Sequence, residues 1–342
     1  MKILLLSGPA TPSSTSISTR IPRLLSILTS SGMMVMHHTV ETKSDLMMAL
    51  IAFEQPDIVF DTAYRVKNRS GSYETIHGIL EEMGFPYIGS GAEVLDLVLS
   101  KSCLKNRWKQ TGIHTPDYYI VNKTGAGVQG LEQSSQITAF PYILKPDCEG
   151  NSRGLSEASI VFDQVALEKQ LGRLLEHYDQ VLVEKYLGTA PDFREYTVAM
   201  IGNGVSQLLM PAEITLLRET KLRVVTTRDK ENHLTRARPV QDPEISKRLT
   251  DLAGRAFQAA GVQDYARCDL IYAHGNLFAV EINGQPMVPD KWFEVCARSA
   301  GLDMVETIQA ILVTGIKRNI ELGYGYLKLP PELNLLWNKL IR

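Results

Sequence analysis

Cysteine is scarce in this sequence, and its placement excludes two classes of protein. Of the 342 residues only four are cysteine, at Cys103, Cys148, Cys268 and Cys296, and no two of them form a Cys-x-x-Cys pair. Scattered cysteines of this kind support neither a disulfide framework nor a structural zinc site. We therefore expect reduced thiols, as in a cytoplasmic protein.

Excess charge and long apolar runs are also missing. The formal net charge is only −2, so the basic excess that is typical of nucleic-acid-binding domains is absent. The apolar part of the opening run MKILLLSGP is too short for a signal peptide, and no segment approaches the length that spans a bilayer. These absences predict a cytoplasmic protein with neither a nucleic-acid nor a membrane partner.

What the sequence does contain is the composition of a globular protein with a large core. Hydrophobic residues make up 44% of the chain and charged residues 22%, which argues against extensive disorder. A chain of 342 residues is long enough to divide into two or three domains.

The N-terminal region shows the alternation expected of a parallel α/β domain. Apolar strand candidates at Lys2–Leu6 and Asp57–Asp61 are followed by helical patterns at Arg20–Ser30 and Ile76–Met83. Strands that alternate with helices in this way form a parallel sheet. The pattern predicts an α/β domain over residues 1–97.

The middle of the chain predicts a small α+β lid over residues 98–188. Strand candidates at Pro141–Pro146 and Val181–Leu187 flank a helical pattern at Asp163–Tyr178, where apolar residues recur every three or four positions. Two strands with a helix between them are typical of an α+β unit.

The remaining residues, 189–342, predict a C-terminal α+β domain with a tail. Strand patterns dominate its beginning, and helices are predicted at Asp242–Ala260 and Glu294–Leu322. The tail PPELNLLWNKLIR predicts one or two amphipathic turns, which either dock a partner helix or pack on their own domain.

The stretch YARCDLIYAHGNLFAVEINGQP places charged residues inside two strand-like runs. Arg267 and Asp269 are two positions apart, as are Glu281 and Asn283, so each pair shares a strand face. A turn at His274–Asn276 would let the pairs converge, although the sequence does not define the register. The carboxylates and the amide are oxygen ligands that suit magnesium, and the alternative is a hairpin in which Arg267 neutralises Asp269.

Two further segments have the character of a nucleotide site. In PYILKPDCEGNSRG, Lys145 ends an apolar strand before a Gly/Asn/Ser loop that can offer backbone N–H groups to phosphate. In VLVEKYL, Glu184 and Lys185 lie on opposite faces of a strand that can present its backbone to a purine, with Glu195 downstream near a ribose. The alternatives are an ordinary hairpin turn and an ordinary edge strand.

From Gly84 to about Gly301 the sequence resembles the ATP-grasp ligases, most closely the D-alanine–D-alanine ligase group. GFPYIGSGAEVLDLVLSK is similar to that family's entry into the ATP site, FPYILKPDCEGNSRG to its lysine and glycine loop, and VLVEKYL with FREYTV to its hinge strand. ARCDLI with FAVEINGQP is similar to its metal strands, and this is the most specific match. The resemblance implies an α/β ATP-grasp fold, with an N-terminal Rossmann-like parallel-sheet domain, a small α+β lid and a C-terminal α+β domain.

The resemblance also implies a role for each matching residue. The residues expected to bind ATP phosphates are Lys101, Lys145, Gly150, Asn151 and Ser152. Those expected at the adenine are Glu184, Lys185, Tyr186 and Leu187, with Glu195 at the ribose. Asp269, Glu281 and Asn283 would hold two magnesium ions, with manganese as the alternative metal, and Arg267 would stabilise the oxyanion of a tetrahedral intermediate.

The substrate side departs from the family pattern. Pro12 stands near the glutamate that anchors the substrate ammonium in the family, Asn151 stands where the family has a serine, and TAYRVKNRSGSYET replaces a segment that carries a histidine. Trp292 and Phe293 add bulk on the acceptor side. Because the nucleotide and metal positions are spared, the ATP chemistry is expected to remain while the substrate is expected to differ from D-alanine.

Two basic segments border this substrate side. The loop Leu217–Arg238 lacks the family's recognisable tyrosine but stays basic through Lys221, Arg223, Arg228 and Lys230. Another set, Arg65, Lys67 and Arg69, suits an anionic donor or an acidic carrier protein, and its alternative is solvated loop charge.

The chain is similar to relatives of this group that serve specialised metabolism, such as ligases that load glutamate onto an acyl carrier protein in butirosin-type antibiotic biosynthesis. The expected function is therefore an ADP-forming ligase that activates an amino-acid carboxylate as an acyl phosphate and transfers it to an amine or to a carrier-protein thiol. A D-alanine–D-alanine-type dipeptide ligase and a non-catalytic nucleotide-binding module are the alternatives. Similar ligases are commonly homodimers.

Overall fold

A computed structural model describes residues 1–9, 15–125, 127–130, 139–150, 152–220, 222–331 and 333. In this part of the chain, most strands belong to one of three sheets of four, five and five strands. Pro12, Asn151, Lys221 and residues 334–342 of the tail, for which the sequence made predictions, lie outside the described residues.

The first sheet is parallel and has its apolar strands in the centre. Its strands lie in the order β2-β1-β3-β6, and β4 and β5 form a separate hairpin. The elements are β1 (Lys2–Ser7), α1 (Thr15–Ser30), β2 (Met34–Thr39), α2 (Lys43–Ala52), β3 (Ile58–Asp61), β4 (Arg65–Lys67), β5 (Tyr73–Thr75), α3 (Ile76–Met83) and β6 (Tyr87–Ile88). Because the strands are parallel, their carboxyl ends share one edge. Asp61, at the carboxyl end of β3, contacts Gln285 from this edge.

In the second sheet each described pairing is antiparallel, and neighbouring strands are not always consecutive in the sequence. Its strand order is β10-β9-β11-β7-β8. The elements of this region are α4 (Ala92–Leu99), α5 (Lys101–Gln110), β7 (Tyr118–Thr124), β8 (Gly127–Gln129), β9 (Tyr142–Pro146), β10 (Ile160–Val161), α6 (Gln164–Leu175) and β11 (Gln180–Lys185). Strand β11 pairs with β9 and β7 on its two sides, so the edge-strand alternative for VLVEKYL is wrong.

The third sheet is an antiparallel sheet of long strands in the order β14-β13-β12-β15-β16. Its region contains β12 (Arg194–Asn203), β13 (Ser206–Leu216), α7 (Thr227–Glu231), β14 (Thr235–Pro239), α8 (Pro243–Ala260), β15 (Asp264–Ala273), β16 (Asn276–Asn283), α9 (Lys291–Ser299) and α10 (Met304–Glu321). Strand β15 therefore lies inside the sheet, between β12 and β16.

The helix predicted over Glu294–Leu322 is wrong as a single element, because the structure has two helices there. Gly301 adopts a φ of +75° between α9 and α10, a backbone conformation that glycine tolerates best. Asp303 then starts α10 with a capping box, in which its Oδ1 accepts from the Glu306 N–H at 2.8 Å and Glu306 accepts from the Asp303 N–H at 3.1 Å.

Helix α5 joins the second-sheet region to the core of the third sheet. Its Trp108 is fully buried in the apolar cluster that contains Phe257 of α8, and the indole N–H donates to the Ala256 carbonyl at 3.3 Å. The proposed division into residues 1–97, 98–188 and 189–342 stays a prediction.

A buried ion pair connects the third sheet to the first. The guanidinium of Arg318, on α10, donates to both carboxylate oxygens of Asp264, at 2.9 and 3.0 Å, and also to the Tyr87 and Gly89 carbonyls at 2.8 and 3.0 Å. The Gly89 N–H in turn donates to Asp264 at 2.8 Å. Each charge is thus compensated where it is buried, which is the condition for keeping it there. No helix in the described ranges is both long and apolar enough to cross a bilayer.

Replacing Arg318 with methionine should lower the free energy of unfolding by about 3–5 kcal/mol, because Asp264 would be left buried without its counter-charge. Urea unfolding followed by circular dichroism measures this difference. The exposed i,i+4 pair of Lys247 and Asp251, with Nζ and Oδ2 2.6 Å apart, supplies the control, since Lys247→Met should change stability by less than about 0.5 kcal/mol. Equal effects of the two substitutions would contradict the structural role given to Arg318.

Candidate active site

A cleft lies between the second and third sheets and contains most of the residues that the sequence singled out. Its empty space, which is continuous with the solvent, is about 890 Å³. The polar residues that line it are Lys145, Ser152, Glu184, Lys185, Tyr186, Glu195, Arg223, Lys230, Asp269 and Glu281. Apolar walls come from Ile143, Leu155, Leu187, Phe193, Ile214, Ile271 and Trp292.

The register of the β15–β16 hairpin brings the predicted metal ligands together. Arg267 pairs with Asn283 and Asp269 pairs with Glu281 across the ladder. Directly opposed residues of an antiparallel pair share a face, as do residues two apart on one strand. All four side chains therefore lie on one face, and a register shift directly after Asp269 ends this regular pairing.

The donor set fits a divalent cation. Asp269 and Glu281 contribute carboxylates and Asn283 an amide oxygen, all hard ligands of the kind that magnesium prefers. Burial raises the pKa of Glu281, but nearby cations outweigh it and lower the pKa, so the group is ionised. Those cations are Lys101, Lys145, Lys230 and Arg267. No set of three His, Cys, Asp or Glu side chains in the described residues could hold a metal, so the site depends on the amide of Asn283, and it stays a prediction.

Arg267 is held by two carboxylates and an aromatic ring. Its Nε lies 3.3 Å from Asp269 and its Nη1 lies 3.3 Å from Asp290. The guanidinium carbon is 4.9 Å from the centre of the Trp292 ring, a cation–π distance. Although burial opposes its charge, these carboxylates raise the pKa of Arg267. The salt bridge that the sequence left as an alternative is therefore present, and it also holds the guanidinium beside the carboxylate pair.

Glu184 is part of a buried charge triad. Its carboxylate oxygens lie 2.5 Å from Lys145 Nζ and 2.7 Å from Lys105 Nζ, and the second contact is an ion pair with poor hydrogen-bond angles. Burial would raise the pKa of Glu184, but the two lysines outweigh it and lower the pKa to about 2. Lys105 also donates to Thr115 Oγ1 at 2.6 Å. Glu184 thus holds Lys145 in place, besides lining the cleft.

The glycine loop is fastened at its base by Lys101. Its Nζ donates to the carbonyls of Asp147, at 3.3 Å, and Glu149. Gly150 is exposed, and Ser152 has a φ of +60° and accepts a hydrogen bond from Thr227 through its carbonyl at 3.2 Å. Ser152 lines the cleft, whereas Lys101 contacts the loop backbone.

The segment after β11 forms the other end of the cleft. Lys185 donates to the Ala139 carbonyl and lies over the Tyr142 ring, so its ammonium is already engaged. The Tyr186 hydroxyl accepts from the Arg223 N–H at 2.7 Å, which ties this segment to the Leu217–Arg238 loop. Leu187 packs with Phe193 in a small apolar cluster. Lys185, Tyr186 and Leu187 all line the cleft, and their role at an adenine stays a prediction.

Two residues that the sequence analysis did not single out also support the site. Lys105 follows Lys101 by four positions, one helical turn on α5, and that spacing is the signal that would have found it. Thr197 on β12 donates to Asp269 Oδ1 at 2.6 Å, and only the strand pairing reveals this contact.

The prediction that Phe293 adds bulk on the acceptor side is wrong. Phe293 is fully buried and packs edge-on against Tyr265, with ring centres 6.5 Å apart. Trp292 lines the cleft, because Asp290 caps α9 and successive helical residues point in different directions. Of the basic residues in the Leu217–Arg238 loop that the structure describes, Arg223 and Lys230 line the cleft, and Arg228 does not.

A family model for the C-terminus of D-Ala–D-Ala ligases matches residues 107–313. Among similar proteins, the D-alanine–D-alanine ligase of Pseudomonas entomophila is 28% identical over 308 residues, which is 86% of this chain and 86% of that protein. An uncharacterised protein of Sinorhizobium fredii is also 28% identical, over 82% of this chain and 84% of its own length.

Solved structures show the same fold. The D-alanine–D-alanine ligase from Bacillus anthracis superposes with a TM-score of 0.76 at 22% identity. The match covers 94% of this chain and 100% of that ligase. VanG D-Ala:D-Ser ligase from Enterococcus faecalis gives a TM-score of 0.69 at 16% identity over 92% of this chain and 99% of its own. The predicted α/β ATP-grasp fold is confirmed.

The half-buried Glu195 makes stability depend on pH. Burial, and then the charge of Asp269, raise the pKa of Glu195 from 4.5 to about 7. Between these values the folded protein keeps a proton that the unfolded chain releases, so stability falls as pH rises through this window. Glu195→Gln removes the loss, and between pH 5 and pH 8 it should gain about 2 kcal/mol relative to the parent protein.

Urea unfolding at both pH values, without nucleotide, measures this gain. Glu82→Gln on the exposed face of α3 is the control and should show no such trend. A constant difference between the Glu195→Gln variant and the parent would contradict the assigned shift.

Proposed function

The chain belongs to the D-Ala–D-Ala ligase family, and from this membership we propose that it is an ADP-forming ligase that joins an amino-acid carboxylate to an amine. The observation that carries the proposal is the opposed pair of Asp269 and Glu281, which lines the same cleft as Lys145 and Lys230. Two carboxylates and two ammonium groups that line one cleft suit a triphosphate with its divalent cations.

We propose that ATP lies along this cleft with its adenine at the end of β11. The backbone of Tyr186–Gly188 and the apolar side chains of Ile143 and Ile271 would enclose the base, and Glu195 would accept from the ribose hydroxyls. Lys145 would supply a fixed charge to the phosphates, because its ion pair with Glu184 orients it.

Asp269, Glu281 and Asn283 are the residues that would hold magnesium. When bound, magnesium supplies charge neutralisation of the phosphate oxygens. The protein's own part is to orient these side chains and to keep Glu281 ionised. Thr197 holds Asp269 by a 2.6 Å hydrogen bond, and the surrounding cations keep Glu281 deprotonated.

The reaction would proceed in two steps. A substrate carboxylate oxygen attacks the γ-phosphorus, which forms an acyl phosphate and releases ADP. An amine nitrogen then attacks the acyl carbon, which expels phosphate as the nitrogen gives up its proton. Arg267, held by Asp269 and Asp290, would stabilise the negative charge that develops on the carbonyl oxygen.

For the acceptor, we propose an amino acid, as in the D-alanine–D-alanine alternative. The relatives named above that have an assigned activity are named as D-alanine–D-alanine or D-Ala:D-Ser ligases. They therefore support the dipeptide alternative over the carrier-protein thiol that the sequence analysis placed first. The homodimer and the specialised-metabolism setting stay predictions.

Purified protein with ATP, magnesium and pairs of amino acids, including D-alanine and D-serine, should release ADP and form a dipeptide that mass spectrometry identifies. Glu281→Ala should abolish ADP release, since a proposed ligand to the cation is lost, while circular dichroism stays unchanged. Glu82→Ala is the matched control and should keep activity. ADP release that needs a carrier protein would restore the thiol acceptor, and nucleotide binding without any turnover would favour the non-catalytic module.

Lys230 is proposed as the loop residue that meets the γ-phosphate. Burial lowers the pKa of Lys230 by more than the nearby carboxylates, including Glu281 and Asp269, raise it. Lys230→Ala should lower kcat/KM for ATP by about 100-fold. Arg228→Ala, an exposed charge in the same helix that does not line the cleft, should stay within about threefold of the parent protein. Steady-state kinetics decides the matter, and similar losses in both variants would instead indicate a general effect of loop charge.

A further inference from the structure

Three buried polar side chains from distant parts of the chain meet beside the end of β16, the strand that carries Glu281 and Asn283. Asp61 ends β3 in the first sheet, His77 lies on α3, and Gln285 follows β16 by two residues. The exposed fractions are 0% for Asp61, 0% for His77 and 9% for Gln285. The mechanism above uses none of them.

Gln285 makes the central contacts of this group. Its Nε2 donates to the backbone carbonyl of Asp61 at 2.7 Å and to Asp61 Oδ2 at 3.2 Å. His77 approaches the same carboxylate oxygen, with its Nε2 at 3.9 Å. The other His77 nitrogen, Nδ1, lies 2.7 Å from the Ser90 carbonyl and must donate to it, because a carbonyl oxygen only accepts.

Two atoms of the group are left without a hydrogen bond. Within the described residues, neither His77 Nε2 nor Gln285 Oε1 has a partner, and both atoms are buried. An unpaired buried polar atom is unfavourable by about 1–3 kcal/mol, so these two atoms offset part of the stabilisation that the hydrogen bonds of Gln285 to Asp61 provide.

The same residue also contacts the metal triad. The backbone N–H of Gln285 donates to Asn283 Oδ1 at 3.2 Å. Gly284 between them allows close packing, since a Cβ atom there would lie 2.8 Å from Val98 Cγ2. The segment that carries Asn283 is therefore clamped between α4 on one side and Asp61 of the first sheet on the other.

We propose that Gln285 is a positioning residue, which orients Asn283 for the metal by anchoring its segment on Asp61 of the first sheet. This inference rests on the proposed function. Gln285 joins the first sheet to the end of β16 through its side-chain amide. A displacement of the first sheet would therefore change the metal affinity at Asn283. Residues that orient a metal ligand typically change metal affinity by about 10-fold or more when they are replaced.

The test measures metal binding as well as turnover. Titration calorimetry with magnesium and ADP compares the intact parent protein with Gln285→Leu and Gln285→Glu. The first variant removes the amide, and the second keeps its size but loses the Nε2 donor. Both should need about 10-fold more magnesium for half-maximal binding and for half-maximal ADP release. Gln170→Leu, a buried glutamine on α6 in the second-sheet region, should keep the parent's magnesium dependence.

A folded Gln285 variant with the parent's magnesium dependence would overturn the proposal, as would an equal shift in Gln170→Leu. Thermal unfolding identifies which variants are folded, and a lower melting temperature alone would indicate a purely structural role and would likewise overturn it. The two proposals fail in distinguishable ways. Parent protein that binds magnesium and ADP without releasing ADP from ATP contradicts the ligase function, whereas an unchanged Gln285 variant contradicts only the positioning role.

Discussion

The site depends on one electrostatic constraint, which is that Asp269 and Glu281 lie directly opposite each other on β15 and β16. Like charges at this position repel and destabilise a sheet unless cations compensate them. The compensation comes from separate elements, with Lys101 on α5, Lys145 on β9, Lys230 on α7 and Arg267 on β15. The carboxylate pair on the third sheet is therefore compensated in part by groups from the second-sheet region and from the Leu217–Arg238 loop.

Buried ion pairs maintain this closed arrangement. Glu184 links Lys105 of α5 to Lys145 of β9, and Asp264 links α10 to the first sheet through Arg318. Such pairs add little net stability compared with apolar contacts, but removing one partner leaves a buried charge. Their role here is positional, because they hold charged groups at defined places around the cleft that we propose for ATP.

Much of the site could be predicted from the sequence because its chemistry lies in short segments. The spacing of Arg267 and Asp269, and of Glu281 and Asn283, identified a shared face within each strand. The apolar run before Lys145 identified a strand. Other features could not be predicted locally. Phe293 reads like Trp292 in sequence but packs into the core. The break at Gly301, by contrast, has local signals that the prediction of one helix did not use, a glycine followed by the Asp303–Glu306 capping box.

By itself the sequence determined the fold class and the types of side chain available, since these follow from hydrophobic periodicity and from residue chemistry within a few positions. Tertiary structure alone decided the register of β16 against β15, the interior position of β11, the pairing of Glu184 with Lys105 and the anchoring of Gln285 on Asp61. The physical reason is distance along the chain. Asp61 and Gln285 are 224 positions apart, and only packing of the folded chain brings such groups into hydrogen-bond range.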